Sequence, residues 1–525
     1  MTHTRKSVAA AALTFFLASG AAHAQKFERA IGGPNAFEQA FDIDVYNANG
    51  GYVTVGDFVS GGTDFIQVIR FRSDGTRVWN RVYASSFPTT GYSIETAQNG
   101  DILVAGMIDT TAAGGLATVV MRLDPSGNVL WSNRYAGTFG TDPIHLPQPG
   151  PALIEDENNQ IYVVTNFQGA PTAFRLRANG VVVWSWVYFD PTANIGDERQ
   201  NIFAFTDIKT ERDGTLAIAG TIHMTDPNLG LPFIDLQDPM LLRIDRAGTP
   251  ILAAHYNLHP NQPIDSIETG DGLDVNAETS ELIIAGRTGR PTTAPLAQHW
   301  VLAAPDFGAI GAANFAASAP SLDSTTGYSS VRYSQNTREF AVVGAFAPPG
   351  GEATIHGFDA SGAPLWRWHS ADQAQLDALV PAPSCGYLAA GRIGGFLTGG
   401  LDDLYHIKTN NRGETGCSRE NDIFFEQLQP RKFFFPVEQG DAPFSESFSV
   451  DPFEPFDEEP ILCFDPNCEP CIADWNGDGV LDFFDVQAFL ADFAAHNPNA
   501  DLNNDGVFDF FDVQAFLQAF SAGCP

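Results

Sequence analysis

The chain has 525 residues, enough for more than one domain. Its 63 acidic and 28 basic residues give a net charge of −35, which argues against binding nucleic acid or an anionic membrane. Gly (50), Pro (34) and Phe (41) are abundant, which favours many short strands and turns over helical bundles.

The N-terminus has the three parts of an export signal. Arg5 and Lys6 are the positive region, Val8–Ala18 is an apolar stretch too short to span a bilayer, and Ala22-His23-Ala24 is a small-x-small cleavage site. The expectation is a signal peptide over 1–24 and a secreted protein, at the cell surface, extracellular or periplasmic. All six Cys follow residue 384. In an exported chain an even count suggests disulfides, and sequence order pairs Cys385 with Cys417 and Cys471 with Cys524, leaving Cys463 with Cys468.

From residue 25 to 417 the chain repeats. An apolar strand ending in a small residue recurs as Tyr52–Gly56, Ile102–Gly106, Ile161–Thr165, Leu216–Gly220, Leu282–Gly286, Phe340–Gly344 and Tyr387–Gly391. A second half-unit is a strand, a tight Gly turn and a strand often carrying Trp. It turns at Gly75, Gly127, Gly180, Gly248, Gly308, Gly362 and Gly413, with Trp79, Trp131, Trp184 and Trp366 after four of them. Asn-Gly, Asp-Gly and Ser-Gly supply the positive φ that tight hairpins need. Four strands per unit at a period in the fifties predict a seven-bladed β-propeller. A sandwich would explain alternating strands but not matched copies. The seventh unit lacks its Trp strand, and Phe27–Gly32 resembles the residues after the Trp in other units, such as Trp131–Gly137. Residues 26–32 are therefore expected to supply the outer strand of the last blade. The Gly-x-x-x-Trp pattern resembles quinoprotein-type bacterial propellers, which implies Trp packing between blades. Without an adjacent Cys pair or an eighth blade, the resemblance does not extend to that family's cofactor.

Residues 418–470 are rich in Pro, Phe and acids and read as a linker extended by charge repulsion, with Phe residues able to tuck against the propeller. Residues 471–525 hold nine Asp and no Lys or Arg. Two near-identical segments, Asp474–Asp485 and Asp501–Asp512, fit the calcium loop D-x-[DN]-x-[DN]-G with an acid at position 12. Calcium takes six to eight oxygens. Here they would come from Asp474, Asn476, Asp478, the Val480 carbonyl, Asp482 and Asp485, and from Asp501, Asn503, Asp505, the Val507 carbonyl, Asp509 and Asp512. Two Ca2+ ions are expected. Each loop runs into a helix whose apolar residues recur at i, i+3, i+4 and i+7, namely Val486, Phe489, Leu490 and Phe493, then Val513, Phe516, Leu517 and Phe520. No entering helix precedes either loop. The module resembles a type I dockerin, especially the dockerin-like tails of secreted planctomycete proteins. That resemblance implies a cohesin-like or cell-surface protein partner. It also implies partner contacts at loop positions 10 and 11, which are Phe483, Phe484, Phe510 and Phe511.

No catalytic motif stands out. Long inserts between the repeats single out His223, Asp226 and Asp235 as ligand-contact candidates. Two functions compete: a secreted binding or scaffold propeller attached through a calcium-dependent tail, and a polysaccharide hydrolase or lyase carrying a dockerin. A carboxylate pair in a channel-mouth cleft would favour the enzyme.

Overall fold

The protein is described from a computed structural model. It covers residues 24–415 apart from 34–35, 47–50, 111–114, 137–149, 168–169, 190–201, 226–234, 258–266, 277–278, 290–296, 305–314, 322–327, 336, 347–351, 384–385 and 395–401. Beyond 415 it covers 426–427, 431–434, 438–441, 445–447, 451–453, 461–468, 475, 483–494, 500, 502, 508 and 510–522. Residues 1–23 of the expected signal peptide thus fall outside the described residues, as do the side chains that would form the disulfides.

The fold is mainly β and is a β-propeller. After β1 (Ala24–Ile31), antiparallel meanders follow in chain order. The first is β2 (Ala36–Val45), β3 (Tyr52–Ser60), β4 (Thr63–Phe71) and β5 (Arg77–Ala84). Then come β6 (Thr89–Thr96), β7 (Ile102–Thr110), β8 (Gly115–Leu123) and β9 (Val129–Tyr135), followed by β10 (Ala152–Glu155), β11 (Gln160–Phe167), β12 (Ala170–Arg177) and β13 (Val182–Phe189). Next are β14 (Ile202–Thr210), β15 (Leu216–Thr225), β16 (Asp235–Ile244) and β17 (Pro250–Asn257), and β18 (Ile267–Val275), β19 (Leu282–Gly289), β20 (Ala297–Ala304) and β21 (Phe315–Ser321). β22 (Tyr328–Ser334), β23 (Glu339–Phe346) and β24 (Glu352–Phe358) lead into the 18-residue β25 (Pro364–Pro381), then β26 (Tyr387–Gly394) and β27 (Asp402–Lys408).

The expectation of seven blades needs correction: the propeller has six blades. The meanders β14–β17 and β18–β21 are joined into one sheet by a single parallel bridge, Gln237 to Ile267. The first half of β25 pairs with β24 and its second half with β26, so one strand serves two neighbouring sheets. β25 runs unbroken for 18 residues, so it passes from the edge of one sheet straight into the next.

The N-terminal strand closes the ring. Phe27 to Ile31 pair with Lys408 to Leu404, making β1 the fourth strand of the last meander. Its Phe27 is fully buried among Tyr52, Phe71 and His406.

Apolar cores lie between neighbouring sheets. The core between the first two meanders gathers Val53, Val55, Ile66 and Val68 with Val104, Val119 and Met121. The repeated Trp and Tyr bridge the seams. Trp79, Trp131 and Trp184 donate Nε1–H to the carbonyls of Pro125, Ala178 and Arg246, each in the next meander's turn. Tyr83, Tyr135 and Tyr188 donate to the carbonyls of Gly127, Gly180 and Gly248. At the closing seam Arg29 donates to the Asp74 carbonyl instead.

The small residue ending each apolar repeat has a packing cause. In six of the first strands a bulge falls opposite it, at Ala40/Asp42, Gly91/Ser93, Phe205/Asp207, Gly270/Gly272, Tyr328/Ser330 and Leu376/Ala378. The bulge brings backbone close: a Cβ on Gly56 would lie 1.8 Å from the Gln39 carbonyl oxygen, and one on Gly220 2.0 Å from that of Ala204. The third copy has Thr165 in this place, and there β10 is short and pairs without a bulge.

The stretch expected as a linker over 418–470 also differs. It contains β28 (Glu426–Gln427), β29 (Arg431–Phe434), β30 (Glu438–Asp441), β31 (Ser445–Ser447), β32 (Asp451–Phe453) and β33 (Ile461–Cys468). These pair antiparallel with β21, β17, β13, β9, β5 and β1 in turn. After it come α1 (Phe483–Ala494) and α2 (Phe510–Ala522).

Candidate functional site

The first strands of the meanders pack beside one another around the ring and carry a set of half-buried charged side chains. Asp42 and Asp44 accept the backbone N–H of Ile94 and Thr96 at 2.9 and 2.7 Å. Glu95 accepts that of Glu155, Asp207 that of Leu273 and Asp274 that of Tyr333. Each acid thus satisfies a backbone donor that the next strand leaves unpaired on its inner edge. Arg332 lies 3.7 Å from Asp207 and donates to the carbonyls of Leu273 and Val331. Lys209 lies 3.7 Å from Asp207. Burial pushes Asp42 up to about 6 and Glu95 up to about 8, with the charge of Asp44 adding to the second shift. Burial alone would lower Arg332, but Asp207, Asp274, Asp42 and Asp44 outweigh it and hold the guanidinium charged. This arrangement knits the wall together through charge and backbone hydrogen bonds.

Chemistry of a different kind lies where the bulges are. Each bulge carries one extra residue, and these are Phe41, Tyr92, Thr206, Asp271, Ser329 and Asp377. All six are half-buried. The Tyr92 ring sits 5.2 Å from that of Phe41. Asp377 accepts from Gln39 at 2.8 Å and from Gln375 at 2.5 Å, and Gln375 in turn accepts from Arg392, which pairs with Asp402. Asp271 accepts from Thr269 at 3.1 Å, with Arg287 3.6 Å away.

Beside Tyr92 stand two carboxylates. Asp57 lies opposite Ile66 and Asp64 opposite Val59, so the two are diagonal neighbours on one face of the β3–β4 hairpin. Burial and the charge of Asp64 push Asp57 up to about 8, against hydrogen bonds from Thr90 and Gly91. Burial and the two Asp push Tyr92 up to about 12. At neutral pH the Asp57 carboxyl keeps its proton. Such a pair can donate and accept protons, or hold a hydroxyl-rich ligand beside the aromatic ring.

The residues chosen from the sequence fall elsewhere. His223 and Asp235 lie on β15 and β16, opposite Gln237 and Thr225. Their side chains, and all of Asp226, lie outside the described residues. Sequence pattern did not single out Asp238 and His255, a buried pair 2.7 Å apart on β16 and β17. Nor did it single out Asp57, Asp64 and the bulge residues. The glycine that marks each bulge was visible, but not the bulge opposite it.

In the C-terminal module the two helices meet through Phe489 and Phe516, whose rings stack 4.2 Å apart and 1° from parallel. Trp475 meets both edge-on. Val486, Phe493, Leu502, Phe508, Val513 and Phe520 pack around this centre. Asp485 and Asp512, the two position-12 acids, are fully buried in the first turns of their helices. Leu490 and Leu517 were expected on the apolar inner faces. They are instead 46% and 48% exposed, because each comes directly after the stacked Phe and is turned away from the contact. Phe483 and Phe510 are 71% and 70% exposed. The side chains of Phe484 and Phe511 lie outside the described residues. So do Asp474, Asn476, Asp478, Val480, Asp482, Asp501, Asn503, Asp505, Val507 and Asp509.

No protein-family model matches the chain, and no curated protein does. Among solved structures, a polysaccharide lyase of family PL25, an ulvan lyase bound to a sulfated disaccharide repeat, is 10% identical. The match covers 74% of this chain and 96% of that one, with a TM-score of 0.45. Drosophila Semaphorin 1b extracellular domains match at 8% identity over 72% and 88%, with a TM-score of 0.39. An endo-1,5-α-L-arabinanase from Thermotoga petrophila matches at 9% over 72% and 100%, with a TM-score of 0.27. At these scores no ligand or reaction carries over, and the assignment of this chain as a β-propeller rests on its own strand pairing.

Proposed function

We propose that this is a secreted β-propeller that serves as a binding scaffold and attaches through a calcium-dependent, dockerin-like C-terminal module. The observation that carries the reading is the matched pair of loop–helix halves, with Phe489 on Phe516 at the centre, Asp485 and Asp512 buried alike, and Phe483 and Phe510 exposed alike. Two Ca2+ ions fit the hard oxygen donors of the two loops. A buried carboxylate at position 12 of each loop is what the closing ligand of such a site requires. The exposed Phe pair is the surface offered to a cohesin-like or cell-surface protein.

Calcium at about 100 times its Kd would add about 2.7 kcal/mol per site to the module's stability. Melting of the full chain with calcium and with excess chelator tests this, followed through Trp475 fluorescence against a Trp475→Phe reference. An unchanged module transition in chelator refutes the calcium site.

A second reading, an enzyme acting on polysaccharide, is favoured by one observation: the Asp57–Asp64 pair beside Tyr92. It predicts cleavage of some neutral polysaccharide that Asp57→Asn abolishes while leaving the fold intact. Cleavage by the variant at the original rate removes Asp57 from that role.

A further inference from the structure

The order in which β28–β33 pair gives the C-terminal segment a role beyond attachment. Successive strands dock on the outer edges of β21, β17, β13, β9, β5 and finally β1, against the direction in which the chain built the ring. A free outer strand exposes a row of unpaired N–H and C=O groups and invites pairing with another chain. Here one segment of the same chain covers six such edges. Its last strand, the eight-residue β33, covers the N-terminal strand that closes the ring, so β1 is paired on both sides.

We infer that residues 426–468 are an intramolecular strand-donating strap, which locks the closed ring and fixes the C-terminal module to its rim. A flexible linker over all of 418–470 would let the module roam about 40 Å from the propeller. With the strap in place only residues 469–474 separate β33 from Trp475, which packs on both helices, a reach of about 13 Å. The propeller and its attachment module then move as closely coupled bodies. Load applied to the module reaches the ring first through the β33–β1 pairing. None of this depends on whether the module binds calcium.

The test uses the full chain with a protease site inserted between Arg419 and Glu420, cut after folding. Size exclusion is run in reductant, so that no disulfide holds the pieces together, and in chelator, so that the calcium reading has no bearing. The expected result is that the 420–525 fragment stays with the ring. A second cut between Glu469 and Pro470 should release the module while the strap remains bound. Glu438→Pro with Gln439→Pro removes the N–H facing β13, since one of two successive strand residues points to the neighbour, and should hasten loss of the nicked fragment. Separation of the fragment from the wild-type ring after the first cut overturns the proposal. Retention of the strap through the module alone, seen as its loss after the second cut, also overturns it. So does fragment retention by the double proline variant equal to that of the wild type.

Discussion

Phe27→Ala should open the ring at its closing seam. Phe27 is fully buried, with its ring 6.4 Å from Tyr52 and 5.6 Å from His406, and it sits where a Cβ on Gly75 would meet it at 2.7 Å. It thereby holds the place at this seam that Trp79 holds over Gly127 at the next. Truncating a buried Phe costs about 3–5 kcal/mol when the site cannot collapse. Collapse is hindered here because Tyr52 is tied to His406 Nδ1 at 2.6 Å and stacks on Phe71 at 4.8 Å. Native-state hydrogen exchange is the suitable assay, since a protein of this size need not unfold in one step. The alternate amides of β27 between Leu404 and Lys408 that face β1 should lose protection by the full amount. Amides of β11 and β12, on the far side of the ring, should lose less. If the β27 amides keep wild-type protection in the variant, β1 does not hold the ring shut and the closure argument fails.

Three further outcomes are expected from the geometry. Glu95 is held up near 8 by burial, so over pH 4.5–8 the folded chain binds a proton that the unfolded chain has lost. Its contribution is present below 4.5 and is lost as pH rises through 8, so Glu95→Gln should flatten the fall in stability over that window in pH-dependent denaturant titrations. Tyr188→Phe removes the donor to the Gly248 carbonyl at 2.8 Å and should cost about 1 kcal/mol by the same measurement; no change would show the bond to be replaced by solvent. In the C-terminal module Phe489→Ala should melt the helices by circular dichroism, whereas Phe483→Ser and Phe510→Ser should leave the melt within about 0.5 kcal/mol of wild type, since their rings lie on the surface.

Legibility in the sequence depended on side-chain pattern. The repeats, the Trp packing between sheets and the closing role of residues 26–32 each left a mark at fixed spacing, because the same seam is built again and again. The strap left none. Five of its six strands have two to four residues, too short to alternate, and their pairing is set by edges that already exist elsewhere in the ring. The fusion of two meanders through Gln237 and Ile267 was hidden for the same reason: it is one backbone bridge. Helical spacing found the module's inner faces but included Leu490 and Leu517, since an i+4 residue lies at the margin of a stripe whose width only the partner helix fixes. The Asp57–Asp64 pair was lost among 63 acids until the hairpin brought it beside Tyr92.

The pairing of Phe27 with Phe464 has a consequence for biosynthesis. β1 must wait for β33, made far later in the chain, before its hydrogen bonds are complete. A nascent chain halted anywhere before residue 461 keeps that early strand half-satisfied, however well the sheets between have matured. Quality control could therefore recognise an unfinished copy by its bare N-terminal flank.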